Sequence, residues 1–81
     1  MLRELNLSSN HLKEIPSFDL PNLEDLDLSS NGLAKLPFLK LPNLKRLNLF
    51  ANYSFSREEK LKIIKKYKKV LSSPGAFLNS K

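Results

Sequence analysis

An α/β fold, with short parallel strands stacked side by side and closed by a C-terminal helix, is what this sequence predicts. Three observations carry that prediction. A set of leucines and asparagines recurs every 21 residues. Within each copy apolar and polar residues alternate as in a half-buried strand. A basic segment near the C-terminus then changes to helical periodicity.

The repeat is the strongest signal and fixes the rest. Asn10, Asn31 and Asn52 stand 21 residues apart, as do Leu2, Leu23 and Leu44, then Leu5, Leu26 and Leu47, then Leu7, Leu28 and Leu49. The first two copies also match at Leu12 and Leu33, Ile15 and Leu36, Pro16 and Pro37, and Leu20 and Leu41, and in the triplets Pro21-Asn22-Leu23 and Pro42-Asn43-Leu44. In each copy the paired leucines alternate with polar neighbours, Glu4, Asn6 and Ser8 in the first, so one strand per copy follows. Copies at a fixed short period pair in parallel, because antiparallel pairing would require the chain to reverse. Pro16, Pro21, Pro37 and Pro42 keep the returns extended or turned.

Leu-Arg-Glu-Leu-Asn-Leu-Ser-Ser-Asn-His-Leu and Leu-Glu-Asp-Leu-Asp-Leu-Ser-Ser-Asn-Gly-Leu resemble the leucine-rich repeat signature, L-x-x-L-x-L-x-x-N-x-L. The third copy fits as far as Asn52, then departs: Ser54 stands where a leucine is expected, and Arg57 and Glu58 replace the aliphatic-proline pair. The resemblance implies a right-handed leucine-rich repeat solenoid, with a short parallel sheet on its concave face, irregular or short helical returns on its convex face, and a C-terminal helical cap. It divides the chain into repeats over 1–55 (about 2–22, 23–43 and 44–55), a basic amphipathic capping helix over 56–71 and a tail over 72–81. The asparagines Asn10, Asn31 and Asn52 fall where the chain leaves the strand, and an amide there satisfies backbone donors and acceptors together, which makes them a structural ladder.

Ser56 followed by Glu59 forms a capping box, with acidic residues at the positive helix end and lysines at the negative end. A helix from about Arg57 to Leu71 follows, with Leu61, Ile64, Tyr67, Val70 and Leu71 as its apolar side. That side covers the open edge of the last repeat. Ser72, Ser73, Pro74 and Gly75 end the helix, and Phe77 and Leu78 in the tail dock back.

Size and composition bound the function. With 81 residues there is room for one small domain. Without cysteine, and with His11 as the one histidine, neither a disulfide nor a thiolate or histidine-cluster metal site is available. No nucleophile-base pair or phosphate-binding loop is present as a motif. His11 occupies a variable repeat position shared with Gly32 and Tyr53, and the acidic run Glu24, Asp25 and Asp27 reads as decoration of a strand surface. A noncatalytic chain without cofactor is therefore expected. The start lacks the pattern of a secretory signal and no apolar run is long enough to span a bilayer, which points to a cytoplasmic protein.

The leading functional expectation is protein-protein interaction through the concave strand face that the resemblance implies. Its columns are Glu4, Asp25 and Arg46; Asn6, Asp27 and Asn48; and Ser8, Ser29 and Phe50. Phe50 either anchors a partner, since aromatics are enriched at interfaces, or packs under the helix and its linker. Three strands about 4.8 Å apart span only roughly 10 Å, so this face is small beside a standard interface of about 800 Å² per partner.

The net charge of +6 concentrates between Ser56 and Leu71, where seven basic residues face two acidic ones. Lys62, Lys65, Lys66 and Lys69 thus define a second reading, an electrostatic adaptor for an acidic protein, nucleic acid or membrane surface. A solvated outer face on a capping helix explains the same charge more simply, and no arginine-aromatic interleaving favours nucleic acid. A third reading is the recognition part of a larger multidomain protein. The first repeat has no covering segment over Leu5, Leu7, Leu12 and Ile15, so either further repeats or self-association through that edge is expected.

Overall fold

The computed structural model describes residues 2–79; Met1, Ser80 and Lys81, which the expected repeat unit and tail include, lie outside the described residues. Three short strands, β1 (Glu4–Asn6), β2 (Asp25–Asp27) and β3 (Arg46–Asn48), form a parallel sheet in sequence order. Their register matches the 21-residue period, with Leu5 beside Leu26 and Leu26 beside Leu47. Two helices follow, α1 (Arg57–Tyr67) and α2 (Pro74–Asn79).

Burial follows the number of neighbouring copies. Leu23, Leu26, Leu28 and Leu33 in the middle copy are fully buried, as are Leu47 and Leu49 in the third. Leu5, Leu7 and Leu12 in the first copy are half-buried, and Leu2 is exposed. The same leucine type thus gains most where both flanks are covered, at about 25 cal/mol per Å² of apolar surface removed from water. Ile15 departs from the expected open first edge, since it is buried within the core cluster.

Each return is closed by a tight turn. Leu23 N donates to Leu20 O at 3.2 Å and Leu44 N to Leu41 O at 3.1 Å, which places Pro21 and Pro42 at the turn position that suits their fixed φ. Asn43 Nδ2 donates to Pro21 O at 2.6 Å and ties the two turns together. A bridge between Asp19 and Lys40 pairs the returns in parallel as well.

Buried amides join one copy to the next on the strand-exit side. Asn31 Oδ1 accepts from Asn10 N and Leu12 N at 2.9 and 3.0 Å, while its Nδ2 donates to Leu7 O at 2.9 Å and to Leu28 O at 3.1 Å. Asn52 repeats the arrangement one copy later, accepting from Leu33 N at 3.2 Å and donating to Leu28 O and Leu49 O at 2.8 and 3.0 Å. Asn10 is exposed, and its Nδ2 donates within its own copy, to Ser8 O at 3.1 Å. The residue just before each asparagine is left-handed, with φ of 57° at Ser9, 56° at Ser30 and 60° at Ala51.

The C-terminal segment differs from expectation in three ways. Helix α1 begins as its cap directs, with Ser56 Oγ accepting from Glu59 N at 3.1 Å, but it stops at Tyr67 instead of Leu71. The reason is a competing set of backbone partners: Leu47 N donates to Val70 O and Ser72 N to Leu47 O, both at 2.8 Å. Leu71 thereby forms a fourth rung beside β3, and α1 is the return that leads to it.

The buried stripe of α1 is also displaced. It runs through Lys60, Ile63, Ile64 and Tyr67, at spacings of three and four residues, and leaves Leu61 47% exposed. Lys60 occupies an inward position because its long aliphatic stem packs like an apolar side chain, with Nζ 5.8 Å from the Phe77 ring centroid.

Thirdly, Pro74 starts α2 at the position where a missing N–H costs nothing, instead of ending an ordered segment. Its Phe77 is buried edge-on against Phe55 at 5.8 Å. Phe55, next to the exposed Ser54, is itself buried in the core cluster.

Replacing Asn52 by Ala should cost at least about 2 kcal/mol in urea denaturation, since several buried backbone groups lose their partners, whereas Asn10→Ala should cost less than about 1 kcal/mol. Ala51→Gly should raise stability by about 1 kcal/mol, because the left-handed conformation penalises a Cβ more than glycine's extra chain entropy does.

Candidate functional site

The solvent face of the sheet brings the three expected columns together in register. Glu4, Asp25 and Arg46 form the first, and Arg46 Nε pairs with Asp25 Oδ2 at 2.8 Å. Beside it runs a further column, Arg3, Glu24 and Lys45, in which Glu24 lies 3.9 Å from Arg3 Nε and 3.5 Å from Lys45 Nζ. Such exposed pairs contribute about 0–1 kcal/mol each. Their main effect is on the charge presented: Asp25 is answered by Arg46, while Glu4 and Asp27 have no ion pair among the described residues.

The second column has a double role. Asn6 Oδ1 accepts from Ser8 N at 2.9 Å and from Ser8 Oγ, Asp27 Oδ1 accepts from Ser29 N at 2.9 Å, and Asn48 Oδ1 accepts from Phe50 N at 3.0 Å. Each side chain turns the backbone out of its strand, in the manner that favours Asn and Asp at such positions. The signal was present as the period-21 recurrence of Asn or Asp, but a contact residue and a turn residue look alike in sequence.

In the third column Ser8 and Ser29 are half-buried and Phe50 is 45% exposed. Phe50 and Asn48 border a recess of about 390 Å³ closed on the far side by Ser72, Ser73 and Ala76. The fourth rung therefore extends the face beyond the three strands legible in the repeat. A wider groove of about 790 Å³ crosses the neighbouring strand-exit loops, between His11 and Tyr53 and over Gly32 and Ala34. It exists because the middle copy has Gly32 where its neighbours have His11 and Tyr53, and Ala34 where they have Lys13 and Phe55.

Lys62, Lys65, Lys66 and Lys69 are exposed on α1 and the turn that follows it, apart from the strand columns. Lys66 Nζ stands 4.6 Å from the centroid of the exposed Phe38 ring and 5.5 Å from that of Tyr67, close enough for cation-π attraction. Burial pushes the Tyr67 phenol above its ordinary range, opposed by the Leu39 backbone. That backbone is not in hydrogen-bonding geometry, so among the described residues the buried Tyr67 hydroxyl has no hydrogen-bond partner. Among the described residues no group of three or more His, Cys, Asp or Glu side chains is placed to hold a metal ion.

The parallel sheet and its 21-residue register define a repeat protein. The family model for leucine-rich repeats in two copies matches residues 1–40 and 21–62, and the chain belongs to the leucine-rich repeat family. Domains of this family generally mediate protein-protein interaction and are typically noncatalytic. Neither a curated protein nor a solved structure matches the chain. No helix among the described residues is long and apolar enough to cross a membrane.

Tyr67→Phe should stabilise the protein by about 1 kcal/mol at neutral pH, since it removes an unsatisfied buried hydroxyl. With the native phenol raised above its unfolded value, the stability of the parent is complete below about pH 10 and falls as the pH climbs through the native value. The advantage of the phenylalanine variant should accordingly widen above pH 10 in parallel denaturation curves.

Proposed function

We propose that the chain is a noncatalytic protein-binding module whose partner docks on the strand face, the concave side of a right-handed solenoid whose last rung α1 and α2 cap. Right-handed returns are the rule for parallel strands joined by crossovers. The observation that carries the reading is Phe50, which remains exposed beside a recess open on that face. An aromatic ring next to a depression offers both an anchor and a place for a partner's side chain. Around it Glu4, Asn6, Ser8, Asp25, Asp27, Ser29, Arg46 and Asn48 supply a polar rim. Asp25 and Arg46 present a charge pair that a partner meets already oriented. The fourth rung enlarges the small area expected from three strands. We place this binding in the cytoplasm, in keeping with a chain that has no cysteine.

The half-buried leucines of the first copy favour a further contact at the β1 edge, with more repeats of a longer protein or with a second copy of the chain. Light scattering over a concentration series distinguishes a second copy, which raises the mass with concentration.

A photo-crosslinker placed at Phe50 should trap a discrete protein partner, whereas one at the exposed Ser17 on the return side should not. Excess unlabelled protein should compete, and Phe50→Ala should compete about tenfold less well, the loss typical of an anchor residue. Equal trapping at both positions would count against the strand face.

A further inference from the structure

The turn that ends α1 creates a second recess, unrelated to the strand face and sharing no residue with it. The chain leaves the helix at Tyr67 so that Val70 O can reach Leu47 N, while the preceding return closes tightly between Leu41 and Leu44. Between these two turns lies a concavity of about 390 Å³ whose apolar lining comes from Leu41, Leu44 and Val70, each half-buried. Its basic lining is Lys65, Lys66, Lys68 and Lys69, all exposed, and among the described residues none of the four pairs with a carboxylate.

The combination selects among anionic partners. Nucleic acid engages lysines through phosphates and makes no use of an aliphatic floor. A lipid surface engages apolar groups that protrude, as on an interfacial helix, and here the apolar groups are half-buried in a concavity while the lysines are exposed. A partner that satisfies both must carry negative charge and extend one apolar side chain between the lysines.

We propose that this recess binds an acidic segment of a partner protein, one in which an aliphatic or aromatic residue is flanked by aspartates or glutamates. The apolar side chain enters against Leu41, Leu44 and Val70, and the flanking carboxylates meet the lysines. Complementary charge speeds the encounter and makes it sensitive to salt, while the buried side chain supplies selectivity.

The test is fluorescence anisotropy on the whole chain, with the labelled peptide Asp-Glu-Asp-Leu-Asp-Glu-Asp as probe. Its counterpart with serine in place of leucine should bind about tenfold more weakly, the worth of burying one leucine. The exposed double variant Lys65→Glu/Lys69→Glu should stay folded, giving up only a few degrees of melting temperature for the reversed charge at the end of α1, and lose about tenfold or more in affinity. Phe50→Ala should bind the peptide unchanged, so a failure of the strand-face reading is distinguishable from a failure here. The proposal is overturned if the leucine peptide does not bind, or if the leucine and serine peptides bind alike. It is equally overturned if an oligothymidylate or vesicles of phosphatidylcholine and phosphatidylserine bind more tightly than the leucine peptide.

Discussion

One buried carboxamide in each of the second and third repeats ties it to the repeat before. Strands of three residues offer few ladder bonds, and the chain must leave each one through a buried bend whose backbone groups face no regular partner. Asn31 and Asn52 meet that need by accepting from the copy before and donating to carbonyls of both copies. Unpaired buried backbone groups would each cost about 1–3 kcal/mol, a large fraction of what a domain this small can hold. The leucine layers depend on this arrangement, because the amides fix the distance and register at which one layer meets the next.

Much of the fold was legible because the constraint is periodic. Once the asparagine and leucine columns are aligned, strand positions, parallel pairing and register follow from spacing alone. The end of the array was harder. Val70 and Leu71 continue the apolar pattern of α1 well enough to read as its last turn, yet their backbone groups complete a fourth rung beside Leu47. Local periodicity and long-range pairing competed for the same residues, and the pairing prevailed. Lys60 misleads for a related reason: its charge suggests an outward position, while its aliphatic stem suits an inward one. The left-handed residues Ser9, Ser30 and Ala51 carry no glycine to announce them. Gly32, which invites such a reading, is not among the left-handed positions.

The surface was only partly legible. The strand columns could be enumerated from the repeat, but not the fact that Asn6, Asp27 and Asn48 commit one oxygen each to the strand exit. Nor does spacing reveal that Phe50 stays exposed, since that depends on where residues 72–76 pass. The lysine segment presents the same difficulty. A charge run shows how much charge there is, whereas its meaning depends on the Leu41, Leu44 and Val70 lining that a distant part of the chain provides.

The fourth rung stands 24 residues after the third, although the earlier rungs stand 21 apart. The sheet accepts this change without loss of alignment, because the additional residues are absorbed as helix on the return side. Chain length is therefore constrained at the strand exits, where the amides demand fixed spacing, and free on the returns. An insertion on the return side lengthens the molecule's outer circumference while the inner face keeps its register, so the two faces of this small array are open to separate histories of change.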